Sequence, residues 1–269
     1  MLELFDEDFD AMELAEGALI LNKAVDPSTE VTWAEHELRR LLQEAQSCLR
    51  HDGDEKQGFD SLLRLFYCQW GFCGDHNAYF DSANAFIDKV LERRRGIPVS
   101  LGALLLYFGR KLGFPISGVT FPSQFLLKLE WPGEPPLFIN PFNGEYVSKH
   151  ILRAWLIGHS GPLAKLESTH LKVVDNPTVI GRWLALIKSA LLREERYTLA
   201  LKCTDLALTF VPDDPYEIRD RGFIYQQLDC HQVALSDYQY FIDQCPDDPA
   251  TRLLKNQVNA MSQTQVTLH

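Results

Sequence analysis

A tetrapeptide recurs in this chain at a spacing that few folds explain. Pro212-Asp213-Asp214-Pro215 returns as Pro246-Asp247-Asp248-Pro249, 34 residues later, and Ala200-Leu201 returns as Ala234-Leu235 at the same offset. Counted back from the second pair of prolines, Gly222, Tyr225, Ala234 and Tyr238 fall where a helical hairpin of that length needs small, aromatic, small and aromatic side chains. Small residues let two antiparallel helices approach, and aromatics fill the space between hairpins. Proline with aspartates stops one helix and caps the next. An earlier copy is looser, with Lys188 at the glycine place and Leu191 at the first tyrosine place.

That period and those packing positions are the tetratricopeptide pattern. Residues 177–269 are therefore expected to form TPR-like helical hairpins, with Pro249 to Met261 as a closing helix. Arrays of this type serve protein or peptide partners, and Arg219, Asp220 and Arg221 are the candidate partner-binding residues, since arginine forks suit carboxylates. The competing reading is local ion pairing, with Glu217 and Asp220 as neighbours. Two hairpins and a closing helix are fewer than the roughly three repeats of a self-supporting solenoid. The array is thus expected to lean on the preceding domain and share its interaction surface with a cleft there.

Upstream, residues 1 to 95 read as helical, with Leu38, Leu41 and Leu42 on one face and the pattern repeated by Leu62, Leu63, Leu65 and Phe66. Asp81 or Ser82 is expected to cap a helix running to Arg95, whose Arg93-Arg94-Arg95 end is expected to be solvated. Gly96-Ile97 breaks it, and a strongly apolar helix runs from Pro98 to Leu112, closed by Gly113. Strand-like runs follow at Ile116–Phe121, Gln124–Trp131 and Leu137–Asn140, then a helix from His150 to Ile157. Residues 161–176 lack periodicity and read as a linker, which leaves residues 1–160 as one α+β domain with a small antiparallel sheet.

The formal net charge of −11 and the lack of any basic patch beyond Arg93–Arg95 argue against a nucleic-acid partner. The acidic opening Met1 to Asp8 is unlike a secretory leader, and the longest apolar run, Leu101 to Phe108, is too short to span a bilayer. A cytoplasmic protein with no membrane partner is expected. The six cysteines include no Cys-x-x-Cys pair and read as small buried hydrophobes. Cys68, Cys73 and His76 lack a second ligand pair, so no metal and no cofactor are expected.

No complete active site emerges from the residues. Pro98-Val99-Ser100-Leu101-Gly102 only half matches a nucleophile elbow, and Ser100 reads as an early-helix hydroxyl that meets free amides. The eight histidines are scattered, and no phosphate-binding glycine loop is present.

Taken in order, Asn84 to Arg95, Gly96-Ile-Pro-Val-Ser-Leu-Gly, Lys111-Leu112-Gly113, Gly118-Val-Thr-Phe-Pro-Ser-Gln-Phe125, Phe138-Ile-Asn-Pro-Phe-Asn-Gly-Glu145 and Tyr216-Glu-Ile-Arg-Asp-Arg-Gly222 resemble the SirB-type family of bacterial proteins. The resemblance spans nearly the whole chain. It implies a papain/transglutaminase-like core followed by tetratricopeptide repeats. In that core a cysteine opens the central helix, and a histidine and an acid on the next strands complete a triad. The matching positions here hold Pro98, Gln124 and Asn140, with Ser100 nearby. Proline offers no nucleophile and Gln124 is no base near neutral pH, so Asn140 has no imidazole to orient. A pseudoenzyme that acts through protein interaction is the expectation. The alternative is an amide hydrolase or acyl-transferase that uses Ser100, Cys68 or Cys73.

Overall fold

The computed structural model describes residues 9–49 and 55–266. The acidic opening segment Met1–Asp8 lies outside the described residues. The chain divides into two compact units, residues 1–183 and 184–269, and the boundary falls within one helix.

The first unit opens with α1 (Leu14–Val25), α2 (Val31–Cys48) and α3 (Glu55–Arg64), the last prolonged by a π-helical turn over Leu65–Gln69. A two-residue strand β1 (Cys73–Gly74), a 3₁₀ turn (Ser82–Asn84), α4 (Ile87–Arg93) and β2 (Arg95–Gly96) lead into α5 (Pro98–Lys111). The sheet follows in the order β3 (Ile116–Phe121), β4 (Gln124–Leu129), β5 (Leu137–Asn140) and β6 (Glu145–Tyr146), all antiparallel. The helix α6 (Lys149–Ser160) comes next.

α5 is buried on every side from Pro98 to Gly109, which requires cover all round. α1 and α4 lie on it from one direction and the β3–β4 hairpin from another. Gly102 makes the second contact possible: a Cβ there would sit 2.7 Å from the Phe125 ring. The opposite sheet face packs Val119, Phe121, Leu126 and Phe138 on Leu152 and Leu156 of α6. Residues 161–176, aperiodic in sequence, are seated on this layer. Ala164, Leu166 and Leu171 cover the cluster, Val173 bridges to Val119, and Asn176 Nδ2 donates to the Phe9 and Met12 carbonyls.

The helix expected to open at Asp81 or Ser82 starts later. Asp81 caps only the 3₁₀ turn, and the first amide of α4, Ile87 N–H, is met by buried Asn22 Oδ1 from α1. Its arginine end is also less solvated than the run suggests. Arg93 pairs with Asp75 and Asp81, while Arg94, at φ 57°, bonds Glu37 and lies 4.6 Å from the centre of the Phe72 ring. Only Arg95 is exposed. The cysteines differ from expectation as well. All six are free, but only Cys203 is buried, its thiol pushed up to about 12 by burial, whereas Cys48 and Cys68 are exposed on their helices and Cys230 is exposed at the turn before His231.

The second unit contains the end of α7 (Asn176–Arg193), then α8 (Tyr197–Phe210), α9 (Pro215–Gln227), α10 (His231–Gln244) and α11 (Pro249–Val266). The repeated Pro-Asp-Asp-Pro works as the sequence indicates. Asp214 Oδ1 accepts from Tyr216 N–H, Asp248 Oδ1 accepts from Ala250 N–H, and Pro215 and Pro249 open their helices. A Cβ on Gly222 would lie 3.0 Å from Asp237 and the Tyr238 ring, and Ala234, Tyr238 and Phe241 build the core. At the corresponding place in the looser repeat, Lys188 is buried and its Nζ reaches Glu217 and Asp220 of α9, both at 2.7 Å. Burial works against the ammonium, but the two carboxylates outweigh it and its pKa is raised.

Two outcomes follow. Lys188→Ala removes the shared cation from two partly buried carboxylates and is expected to cost about 1–3 kcal/mol, read as an earlier urea transition of the repeat unit. Glu37, bonded by Arg40 and, against the opposing effect of burial, by Arg94, is held at about 2 from an ordinary 4.5. A depressed carboxyl stabilises above its unfolded pKa and loses that stabilisation as pH falls through its folded one. The stability gap between wild type and Glu37→Gln should be constant from pH 7 to 5 and close between pH 4.5 and 2. A gap that ignores pH in urea titrations would refute the assignment.

Candidate functional site

The start of α5 is where the resemblance places a nucleophile, and the structure gives that place to structural groups. Pro98 is the first helical residue and is buried. Ser100 is fully buried, and its Oγ accepts from Ile97 N–H at 3.1 Å and donates to the Asn84 carbonyl at 2.6 Å, with the Ile97 carbonyl at 3.1 Å. The hydroxyl thus satisfies a free amide at the helix start and ties α5 to the 3₁₀ turn.

Gln124 opens β4, paired with Phe121. Strand alternation starts its side chain on the face of Leu126, opposite Phe125, which points to Gly102 of α5. Its Nε2 is buried with no hydrogen-bond partner, so it bonds neither Asn140 nor Ser100. Asn140 ends β5, on the face of Phe138. Its Oδ1 accepts from Phe142 N–H at 3.1 Å and its carbonyl from Gly144 N–H at 2.8 Å, which shapes the turn to β6. Tyr67 Oη donates to the Pro141 carbonyl at 2.7 Å and pins this turn; burial raises its pKa. The three triad positions are therefore not joined to one another.

Among the described residues, the cysteines offered as substitutes are bonded to no histidine. Cys73 Sγ lies 2.6 Å from Arg95 Nη1 and 3.9 Å from the Arg94 carbonyl, and Cys68 is exposed. Among the described residues, no group of three or more His, Cys, Asp or Glu side chains could hold a metal ion, and no helix is long and apolar enough to cross a membrane.

Beside the α5 start lies a groove of about 520 Å³, lined by Gly74, Asp75, His76, Asn77, Ala78 and Arg95. Parallel pairing of Cys73 with Arg95 and Gly74 with Gly96 brings its two sides together. Gly74 N–H donates to the Phe142 carbonyl, and a Cβ on Gly74 would overlap the Phe142 ring. Asp75 Oδ1 accepts from Asn77 N–H and Ala78 N–H, and Oδ2 faces Arg93. The Ala78 amide first, then the Asn84 side chain, the Asn77 amide and Arg93, hold the Asp75 carboxyl below the usual range against the effect of burial. His76 meets Phe142 and Tyr79 meets Phe80 edge-on, while Tyr79 and Phe142 are tilted at 47°, so the four rings form a series beside the groove. In the sequence, Cys73 and His76 stand out as possible metal ligands and Cys73 as a possible nucleophile, and no local motif announces this groove, because its sides are about twenty residues apart.

In the repeats, the candidate partner residues are engaged internally. Arg219 bonds Asp220 and lies over the Tyr216 and Phe241 rings, Asp220 also holds Lys188, and Arg221 makes two bonds to nearly buried Asp237 at 2.8 and 2.9 Å. Tyr216 and Phe223, about one turn before and one turn after Arg219 on the same helix face, are 48% and 41% exposed.

A family model described as the transglutaminase-like superfamily matches residues 32–185, and a tetratricopeptide-repeat model matches residues 187–259. A UPF0162 protein of Vibrio cholerae is 72% identical over 270 residues, covering 100% of both chains. Protein SirB1 of Salmonella typhimurium is 39% identical over 269 residues, and the UPF0162 protein YchA of Escherichia coli is 39% identical over 272, each again covering 100% of both chains. No solved structure matches. The architecture is thus a transglutaminase-like domain followed by TPR-like helices, as the sequence indicates.

Ser100→Ala should leave the Ile97 amide unmet and cost about 1–3 kcal/mol in urea denaturation. A serine-directed fluorophosphonate should leave native Ser100 unlabelled by mass spectrometry; fast labelling would mean the hydroxyl is a nucleophile after all.

Proposed function

The chain belongs to the family of SirB1 and the UPF0162 proteins, and from that premise we propose that it is a non-catalytic, cytoplasmic adaptor that binds a protein or peptide partner. The observation that carries this reading is the α5 start. Pro98 opens the helix without a nucleophile, and the Ser100 hydroxyl is fully buried and bonded to the backbone of Ile97 and Asn84. Acyl chemistry needs a nucleophile beside a base, and among the described residues the bonds of Ser100 go to the backbone of Ile97 and Asn84 and those of Cys73 to Arg95 and the Arg94 carbonyl. Three exposed free thiols suit a reducing compartment. Repeats of this kind commonly mediate protein–protein contact, and Tyr216, Arg219 and Phe223 offer the aromatic and arginine anchors that dominate such interfaces.

The test pairs two measurements on the full chain. Affinity capture from a bacterial lysate should retain a stoichiometric partner that Arg219→Ala/Phe223→Ala releases while its circular dichroism spectrum stays unchanged. The purified protein should neither hydrolyse peptide amides nor transfer acyl groups to an amine above the buffer rate. Turnover without a stable partner would sink the adaptor reading in favour of a hydrolase or acyl-transferase.

A further inference from the structure

We infer that the groove between Gly74–Ala78 and Arg95 seats a peptide segment that presents a carboxylate beside an aromatic or aliphatic side chain; this rests on the adaptor reading and names a site and a ligand chemistry for it.

Charge is the first argument. Of three consecutive arginines, Arg93 faces Asp75 and Asp81, and Arg94 faces Glu37. Arg95 is exposed on the groove wall, and its contact is with a thiol, Cys73 Sγ, through Nη1. A guanidinium carries five donors in a fork matched to a carboxylate, so one contact to a thiol leaves most of its capacity for a ligand. Asp75, the acid on the floor, does not compete for it. Its Oδ1 takes two backbone amides and its Oδ2 faces Arg93. The lining thus carries one arginine and one carboxylate, and because the oxygens of Asp75 are already engaged, the charged group left to meet a ligand is the Arg95 guanidinium. Repulsion from distant acids is screened beyond about 8 Å at physiological ionic strength, which leaves the local contact to decide.

Rim chemistry is the second argument. Tyr79 and Phe80 are 40% and 60% exposed and continue from Phe142, whose ring is held edge-on to His76 at 4.6 Å. Exposed aromatics beside an arginine are the composition of binding hot spots. Rigidity is the third. The rim is tied by the Gly74–Phe142 and Asp75–Gly96 backbone bonds and by Asn84 Nδ2 to the Ala78 carbonyl, so little ordering opposes binding.

The probe is a fluorescein-labelled hexapeptide with a Phe-Asp-Glu core, titrated by anisotropy against the full chain, with its Phe-Asn-Gln isostere as comparison. Wild type should bind the acidic peptide about tenfold or more tightly than the isostere, as one charge-assisted fork implies. Arg95→Glu should abolish that preference, Phe80→Ala should weaken both peptides, and Arg39→Glu, which changes net charge equally at an exposed site on α2, should change neither. Circular dichroism checks that each variant folds. Equal binding of both peptides, binding of neither, or an equal effect of Arg39→Glu overturns the groove assignment, as does a concentration-dependent dimer that Arg95→Glu dissolves. If a captured protein partner is fully retained by Arg95→Glu, the groove fails while the adaptor reading stands. Amide turnover without a partner is the separate result that ends the adaptor reading.

Discussion

α5 has no face left for water from Pro98 to Gly109, and the rest of the N-terminal unit follows from covering it. An all-apolar helix must be enclosed by elements that come close enough to leave no void. Gly102 admits the Phe125 ring, while Gly109 admits Ile116, 2.8 Å from where a Cβ would stand. Small residues on the helix thus set the distance at which the β3–β4 hairpin lies. With that hairpin fixed, Leu126 and Phe138 are committed to the opposite face, where they become the surface on which α6 and residues 164–171 pack. A change at one helix position is therefore transmitted through the sheet to the next layer.

The same constraint explains how the fold uses the polar groups at the expected triad positions. A nucleophile at a helix start must be open to substrate. Ser100 is instead enclosed, because Asn84 and Ile97 use its hydroxyl to join the 3₁₀ turn to the helix. Gln124 sits where alternation turns it away from the Phe125 face, and Asn140 spends its side chain on a turn. Each polar group at an inherited position has a structural use, except Gln124 Nε2, which is buried without a partner.

Much of this was legible in the sequence where the signal is local. The 34-residue period, the prolines that open helices and the small residues between them determine the repeat helices almost residue by residue, since each acts within one hairpin. The apolar helix and the three strand runs were equally clear. What escaped reading depends on distant pairing. α4 starts at Ile87 because Asn22, 65 residues away, supplies its first acceptor, and no cap rule contains that. Arg94 ends the helix in a left-handed conformation because Glu37 and Phe72 hold its side chain from outside the helix. Cysteine burial failed for a related reason: an apolar average over a helix does not tell which side faces out. The groove was invisible for the same cause, since a two-residue parallel pairing assembles it.

Lys188 shows how far a local pattern can be broken and still serve the fold. The repeat asks for a small residue there because helices of one hairpin meet at that point, and Gly222 satisfies the demand against Asp237 and Tyr238. At Lys188 the matching partners one repeat earlier are Cys203 and Thr204, smaller than Tyr238 and both fully buried. The smaller facing side chains make room for an aliphatic stem. The ammonium at its end cannot remain alone in that surrounding, and Glu217 and Asp220 of the next hairpin accept it. A packing contact within one hairpin has thereby become an ionic contact between two. That exchange gives a short array a specific link between its repeats, which matters most where too few repeats stack for apolar burial alone to fix their register.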